Sequence, residues 1–181
     1  MASIKIVLAG FGGQGVLFAG KLTATTALIE DREVSWLPSY GPEMRGGTAN
    51  CSVTLSDEPI GSPLVLDPDA LIAMNQPSLD KFMGSVVPGG LIIADTTMVP
   101  NLPAPEQLAE GVRVVALPAT AMAEENGLKG LANIILAGKL WAETQFCSRE
   151  ALDEALVACV PAKKAHLLEP NRRALQMGIE A

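Results

Sequence analysis

The run Ile4-Lys5-Ile6-Val7-Leu8-Ala9 leads directly into Gly10-Phe11-Gly12-Gly13-Gln14-Gly15 and then into a stretch with helical apolar spacing. A brief apolar run that ends in glycine has the form of a buried parallel strand. From Gln14 to Glu30 the residues Val16, Leu17, Ala19, Gly20, Ala24, Ala27 and Leu28 recur at intervals of three and four, and alanine and leucine favour helix. Val34-Ser35-Trp36-Leu37 reads as the next strand. Strand, glycine turn, helix and strand make a βαβ unit, which directs the chain towards an α/β architecture.

The later elements extend that pattern. In Thr48 to Leu55, Ala49, Cys51, Val53 and Leu55 alternate with Asn50, Ser52 and Thr54, the period of a half-buried strand. Such alternation belongs to antiparallel strands with one solvated face, so the sheet is expected to be mixed. Ala70 to Met74, Leu91 to Ala94 and Arg113 to Leu117 read as further strands, with a helix near Ser78 to Val87 that Pro88-Gly89-Gly90 ends. Beyond Pro118 helical spacing dominates, over Ala119 to Glu125, Leu131 to Thr144, Arg149 to Cys159 and Ala162 to Gln176, and Ser148 is placed to cap the third of these. The expected fold is one α/β domain spanning residues 1–181, three-layered and Rossmann-like, with a mostly parallel but mixed sheet. Residues 1–118 form its sheet core and 119–181 a mainly helical part.

Composition bounds what such a domain can bind. A formal charge of −7 and a pI near 4.7 repel a phosphate backbone, which argues against nucleic acid. Lys163, Lys164, Arg172 and Arg173 gather late at helical spacing beside Glu169, as on a solvated helix face. Hydrophobic residues are 49% of the chain and charged ones 18%, enough for a core with some apolar surface left to face a partner through aliphatic and Met side chains. The N-terminal apolar stretch is broken by glycines and lacks a signal-peptide cleavage pattern, and no window reaches the roughly 20 apolar residues of a membrane helix. Cys51, Cys147 and Cys159 are odd in number and far apart, which fits a reducing compartment rather than a disulfide framework. A soluble, cytoplasmic protein is expected.

Two segments carry candidate chemistry. Gly10, Gly12, Gly13, Gln14 and Gly15 satisfy G-x-G-x-x-G after a strand and at a helix start, where backbone N–H groups and the positive helix end receive a phosphate. A dinucleotide site also needs an acid at the end of the second strand. Here that end reads Leu37-Pro38-Ser39-Tyr40, while Glu30, Asp31 and Glu33 precede the strand. The glycines are equally consistent with close helix–strand packing alone. Gly15 to Lys21 mimics a P-loop, but Leu22 stands where the magnesium-binding hydroxyl belongs. The second segment runs from Ser39 through Tyr40, Gly41, Pro42, Glu43, Met44, Arg45 and Gly46 to Gly47, and it holds the only tyrosine of the chain. Lying after a strand, it is expected to border the same crevice as the glycine turn, where ligands of open α/β sheets gather. His166 has no nucleophile beside it, and Asp67, Asp69 and Asp95 lack ligand spacing, so neither a catalytic residue nor a metal site is assigned.

The glycine turn with Gln14, the string Ser39 to Gly47 running into Thr48-Ala49-Asn50-Cys51, Ile60-Gly61-Ser62-Pro63, Asn75-Gln76-Pro77-Ser78 and the Pro-Gly-Gly before a central strand together resemble the gamma subunit of 2-oxoacid:ferredoxin oxidoreductases. The match is strong over about the first hundred residues. Gly-Pro-Glu-Met-Arg-Gly-Gly resembles the 2-oxoglutarate and branched-chain 2-oxoacid members more than the pyruvate ones. The resemblance implies a complex in which thiamine diphosphate decarboxylates a 2-oxoacid, iron–sulfur clusters pass electrons to ferredoxin, and coenzyme A takes the acyl group. This chain has no Gly-Asp dipeptide to open a thiamine diphosphate motif, and its three scattered cysteines do not make a cluster site. Thiamine diphosphate, magnesium and the clusters are therefore expected on alpha, beta and ferredoxin-like delta partners, with coenzyme A near this chain. The implied site residues are Gly10, Gly12, Gly13, Gln14, Gly15, Ser39, Tyr40, Gly41, Glu43, Arg45, Gly46 and Gly47. Two alternatives remain open: an assembly subunit without a ligand site, and a free-standing Rossmann-type nucleotide-binding enzyme.

Overall fold

Short β-branched runs and alanine-rich amphipathic segments divide the chain into six strands and six α-helices, in a computed structural model that describes residues 3–39 and 48–181. The strands are β1 (Ser3–Phe11), β2 (Glu33–Ser39), β3 (Thr48–Ser56), β4 (Ala70–Ala73), β5 (Leu91–Asp95) and β6 (Arg113–Leu117). The helices are α1 (Val16–Ile29), α2 (Gln76–Phe82), α3 (Ala119–Glu125), α4 (Ala132–Thr144), α5 (Arg149–Cys159) and α6 (Leu168–Glu180). Residues 162–167 form a 3-10 turn at the head of α6. Ser148 caps α5 as expected, its Oγ accepting from Ala151 N at 3.2 Å.

One sheet is ordered β2-β3-β1-β4-β5-β6. β1, β4, β5 and β6 are mutually parallel neighbours, and β3 runs antiparallel to both β1 and β2. The mixed sheet is therefore confirmed, and the expected βαβ unit is modified. β1 and β2 point the same way, but β3 lies between them and sets them about 10 Å apart at the usual strand spacing. A second expectation also changes. Ser52, Thr54 and Ser56 are only 6–7% exposed, because β3 is flanked on both sides and residues 59–67 stand over Thr54 and Ser56.

The sheet separates two cores. Ile4, Ile6 and Leu8 of β1, with Cys51, Val53 and Leu55 of β3, face the layer that holds α1, α3, α4, α5 and α6. Val7, Ala9, Leu71, Ala73, Ile92 and Ala94 face Leu79 of α2 and the Val65 and Val99 loops. In the larger layer α4 and α6 cross at two glycines. A Cβ on Gly138 would strike the carbonyl of Leu175, and one on Gly178 the carbonyl of Ile135. Only a residue without a side chain permits such an approach.

Candidate functional site

The parallel strands β1, β4, β5 and β6 deliver their carboxyl ends to one edge of the sheet, the edge at which open α/β folds bind ligands. The glycine turn leaves β1 there. β1 continues beyond the expected end at Ala9, through Gly10, to Phe11, which pairs with Thr48. Gly10 is consequently a strand residue whose missing Cβ leaves room for Gln14 Oε1, Met74 Cβ and Val16 Cγ2, all within 3.0 Å of where a Cβ would stand. Gly13 takes φ +96°, and a side chain there would meet no described atom within 4 Å. With Gln14 N donating to Phe11 O at 3.2 Å, Gly13 occupies the third position of a four-residue turn, where a positive φ favours glycine. Gly15, at φ +76°, precedes α1, and its Cβ would lie 2.5 Å from Asn133 Nδ2.

Gln14 holds the turn together. Its Oε1 accepts from Phe11 N at 2.6 Å and its Nε2 donates to Met74 O at 2.9 Å. The side-chain amide thus bridges the ends of β1 and β4. Asn75, next in the chain, caps α2 by accepting from Ser78 N at 2.8 Å. No side chain caps α1. The N–H groups of Gly12, Gly13 and Gly15 donate to no described group and lie at the positive end of a 14-residue helix.

Beside the turn lies a crevice of about 240 Å³, lined among others by Gly13, Gln14, Met98, Thr120, Glu124 and Lys129. Lys129 forms no ion pair with a described residue and supplies the positive charge of this wall. The far wall is fixed by Asp95, a fully buried carboxylate at the end of β5. It accepts from Thr120 Oγ1 at 2.5 Å, Thr120 N at 3.2 Å and Thr97 N at 3.2 Å. Sequence reasoning noticed Asp95 only as a failed metal ligand and passed over Thr120, Lys129 and Asn133. An acid at the end of β5 and a threonine in the first turn of α3, the helix after β6, were the available signals for the first two.

Of the second segment, Ser39 ends β2 and is exposed. Ser39 pairs with Asn50, Asn50 with Ala9, and Thr48 with Phe11, so both ends of the segment reach the edge that carries the glycine turn. Tyr40, Gly41, Glu43, Arg45, Gly46 and Gly47 lie outside the described residues. The end of β2 sits two strand spacings from β1, about 10 Å. Even an acid there would be displaced from the position it takes when the two strands are adjacent. His166 is exposed in the 3-10 turn, and Lys21 lies within α1, away from the turn.

The cysteines do not suit cluster ligation. Cys51, Cys147 and Cys159 are buried separately on β3, before α5 and at the end of α5. Burial pushes the Cys51 thiol up to about 12 against a hydrogen bond from Trp36, and burial does the same to Cys147. Thiols held protonated are poor metal ligands. Among the described residues no group of three or more His, Cys, Asp or Glu is placed to hold a metal ion. No described helix is long and apolar enough to cross a membrane.

Residues 5–181 match the family model for pyruvate ferredoxin/flavodoxin oxidoreductase. The chain belongs to this family. It is 39% identical over 178 residues to the ketoisovalerate oxidoreductase subunit VorA of Methanothermobacter thermautotrophicus, covering 98% of this chain and 36% of that protein. The chain thus spans about a third of the length of that relative. To the 2-oxoglutarate synthase subunit KorC of Methanocaldococcus jannaschii it is 37% identical over 159 residues, 87% of this chain and 83% of KorC. Among solved structures, the keto/oxoacid ferredoxin oxidoreductase gamma subunit of Geobacter sulfurreducens PCA superposes with a TM-score of 0.82 at 33% identity, covering 98% of this chain and 96% of that one. The same fold occurs in the 2-oxoglutarate:ferredoxin oxidoreductase of Magnetococcus marinus, solved with 2-oxoglutarate, coenzyme A and succinyl-CoA bound, at a TM-score of 0.85 and 24% identity over 98% of this chain and 30% of that chain.

Proposed function

We propose that this chain is the gamma component of a 2-oxoacid:ferredoxin or acceptor oxidoreductase, and that its glycine turn receives a phosphate or pyrophosphate of coenzyme A. The acyl group it favours comes from 2-oxoglutarate or 2-oxoisovalerate rather than pyruvate, a preference that rests on the likeness of Gly41-Pro42-Glu43-Met44-Arg45-Gly46-Gly47 to those members. Thiamine diphosphate, magnesium and iron–sulfur clusters belong, on this reading, to alpha, beta and delta partners, since the three thiols here are buried apart. The observation that carries the reading is the set of undonated N–H groups on Gly12, Gly13 and Gly15 beside a crevice lined by Lys129. Such donors at a helix start stabilise an anion by about 0.3–1 kcal/mol when exposed. That is too little alone, and Lys129, Arg45 and neighbouring subunits add the remainder. Positioning is this chain's contribution: Gln14 fixes the turn, and the Asp95–Thr120 pair fixes the opposite wall.

Gly13→Val tests the reading. A side chain at this position meets no described atom within 4 Å, so apart from the strain of a side chain at φ +96°, which Gly13→Ala shares with little bulk, the valine enters the space assigned to the ligand. In the assembled enzyme the KM for coenzyme A should rise while decarboxylation of the 2-oxoacid persists. Unchanged coenzyme A kinetics in a correctly assembled variant would show that the turn is a packing device.

A further inference from the structure

The glycine turn is held from two sides. Gln14 ties it to β4, and the helical layer holds it from behind through Asn133, the second residue of α4. Asn133 Nδ2 donates to Gly15 O at 3.0 Å. That carbonyl has a partner without it, because it accepts from Ala19 N at 3.1 Å in the first turn of α1. Asn133 is 4% exposed, and its Oδ1 is buried with no hydrogen bond among the described residues. A buried amide stabilises a fold only when its polar atoms are paired, and an apolar side chain of the same shape can replace it at little cost. The fold alone gives little reason for an asparagine here.

The contact is also closely fitted. Gly15 takes φ +76°, and a Cβ on it would lie 2.5 Å from Asn133 Nδ2. Neither residue has room to shift towards the other. α4 is in turn fixed from the far side, since its backbone touches that of α6 at Gly138 and at Gly178. The packed helices α4 and α6 therefore place one polar atom on the residue that opens α1.

What this placement controls follows from the planarity of the peptide group. The Gly15 carbonyl and the Val16 N–H belong to one rigid trans peptide and point in opposite directions. Val16 N–H donates to no described group, as befits the first donor of a helix. Holding the carbonyl from α4 therefore fixes the aim of a donor at the start of α1. The same helix reaches the crevice directly, where Gly130 and Ala132 at the start of α4 stand across from Gly13 and Gln14. The Asn133 bond thus sets the turn and the α4 wall at a fixed separation.

We propose that Asn133 is a positioning residue for the anion that the glycine turn receives. Its side chain touches no ligand. It acts through Gly15, keeping the Val16 N–H aimed at the anion and keeping the start of α4 in register with the turn. The inference rests on the coenzyme A reading and adds to it the residue that holds the donors in place, which gives the C-terminal helices a part in binding as well as in the core.

The test compares Asn133→Leu, which keeps the shape but removes the donor, with Asn133→Asp, which turns an oxygen towards the Gly15 carbonyl. Both are assayed in the assembled enzyme beside Gly13→Val. The KM for coenzyme A should rise about tenfold in Asn133→Leu and further in Asn133→Asp. The kcat at saturating coenzyme A and the KM for the 2-oxoacid should stay within about twofold of wild type, the split expected when binding of one substrate alone is weakened. The melting temperature of the full Asn133→Leu chain should lie within about 4 °C of wild type. If Gly13→Val raises the KM for coenzyme A and both Asn133 variants leave it unchanged, the positioning role is overturned and the coenzyme A reading stands. An unchanged KM in all three variants overturns both. A larger fall in melting temperature, with kcat and both KM values changing together in the two Asn133 variants, makes Asn133 part of the scaffold and also overturns the proposal.

Discussion

Replacing Gln14 with alanine separates two roles that the sequence motif merges. If Gln14 is a brace, as its contacts indicate, the loss appears in stability. The substitution deletes the two short bonds, to Phe11 N at 2.6 Å and Met74 O at 2.9 Å, and a long third one in which Asn75 Nδ2 donates to Gln14 Oε1 at 3.5 Å. The Phe11 amide is partly exposed, so water replaces the lost acceptor, whereas Met74 is 1% exposed and its carbonyl is left without this donor. Two bonds at about 1 kcal/mol each, with about 1 kcal/mol more for the stranded carbonyl, give a loss of about 3 kcal/mol. For a domain of this size that lowers Tm by about 6–12 °C. Gln14→Glu keeps the acceptor for Phe11 but turns a carboxylate oxygen towards the Met74 carbonyl, so it should not restore the wild-type midpoint. Urea unfolding of the chain, alongside the KM for coenzyme A in the assembled enzyme, decides the matter. A Gln14→Ala protein within about 0.5 kcal/mol of wild type, the range of ordinary surface changes, but with a raised KM would refute the brace and make the amide a direct ligand donor.

Other expectations follow from individual contacts. Gly178→Ala, which in an exposed helix would stabilise by up to about 1 kcal/mol, should instead destabilise by about 1–3 kcal/mol, because its Cβ meets the Ile135 carbonyl of α4; a higher urea midpoint would contradict the tight crossing. Cys51 and Cys147, raised from 9.0 to about 12 in the fold, are protonated in both states below pH 9. Above it the unfolded chain releases protons that the folded chain keeps, so stability falls as pH rises from 9 towards 12, by up to about 1.4 kcal/mol per pH unit for each thiol. Unfolding midpoints at pH 8 and pH 10 should therefore converge in the Cys51→Ala, Cys147→Ala variant. Arg45→Ala should leave the chain folded but impair activity or assembly of the complex, since arginine is suited to bidentate recognition of an anion; unchanged kinetics and assembly would make its loop passive.

The elements themselves were legible because their signals are local. The strand Arg113–Leu117 and the helices Ala119–Glu125 and Arg149–Cys159 have the bounds expected of them, with Pro118 and Ser148 marking where one period gives way to another. The parallel core and the mixed sheet were legible in apolar runs and in the alternation of β3. Strand order was not. The insertion of β3 between β1 and β2 depends on pairing between residues such as Ile6 and Val53, and nothing local encodes which edge a strand joins. The candidate site divides in the same way. A glycine-rich turn opening a helix was readable from six consecutive residues, and so was the missing acid after β2. Which glycine serves which purpose was settled by neighbours remote in sequence: Gly10 makes room for Met74, Gly15 for Asn133, and Gly13 meets no described atom. Gln14, a candidate ligand group in the sequence, also braces the turn, through a bond to Met74, 60 positions further along the chain. Local periodicity determined what this protein is built from. Long-range packing decided which of its polar groups are spent on the fold and which remain free to meet a ligand.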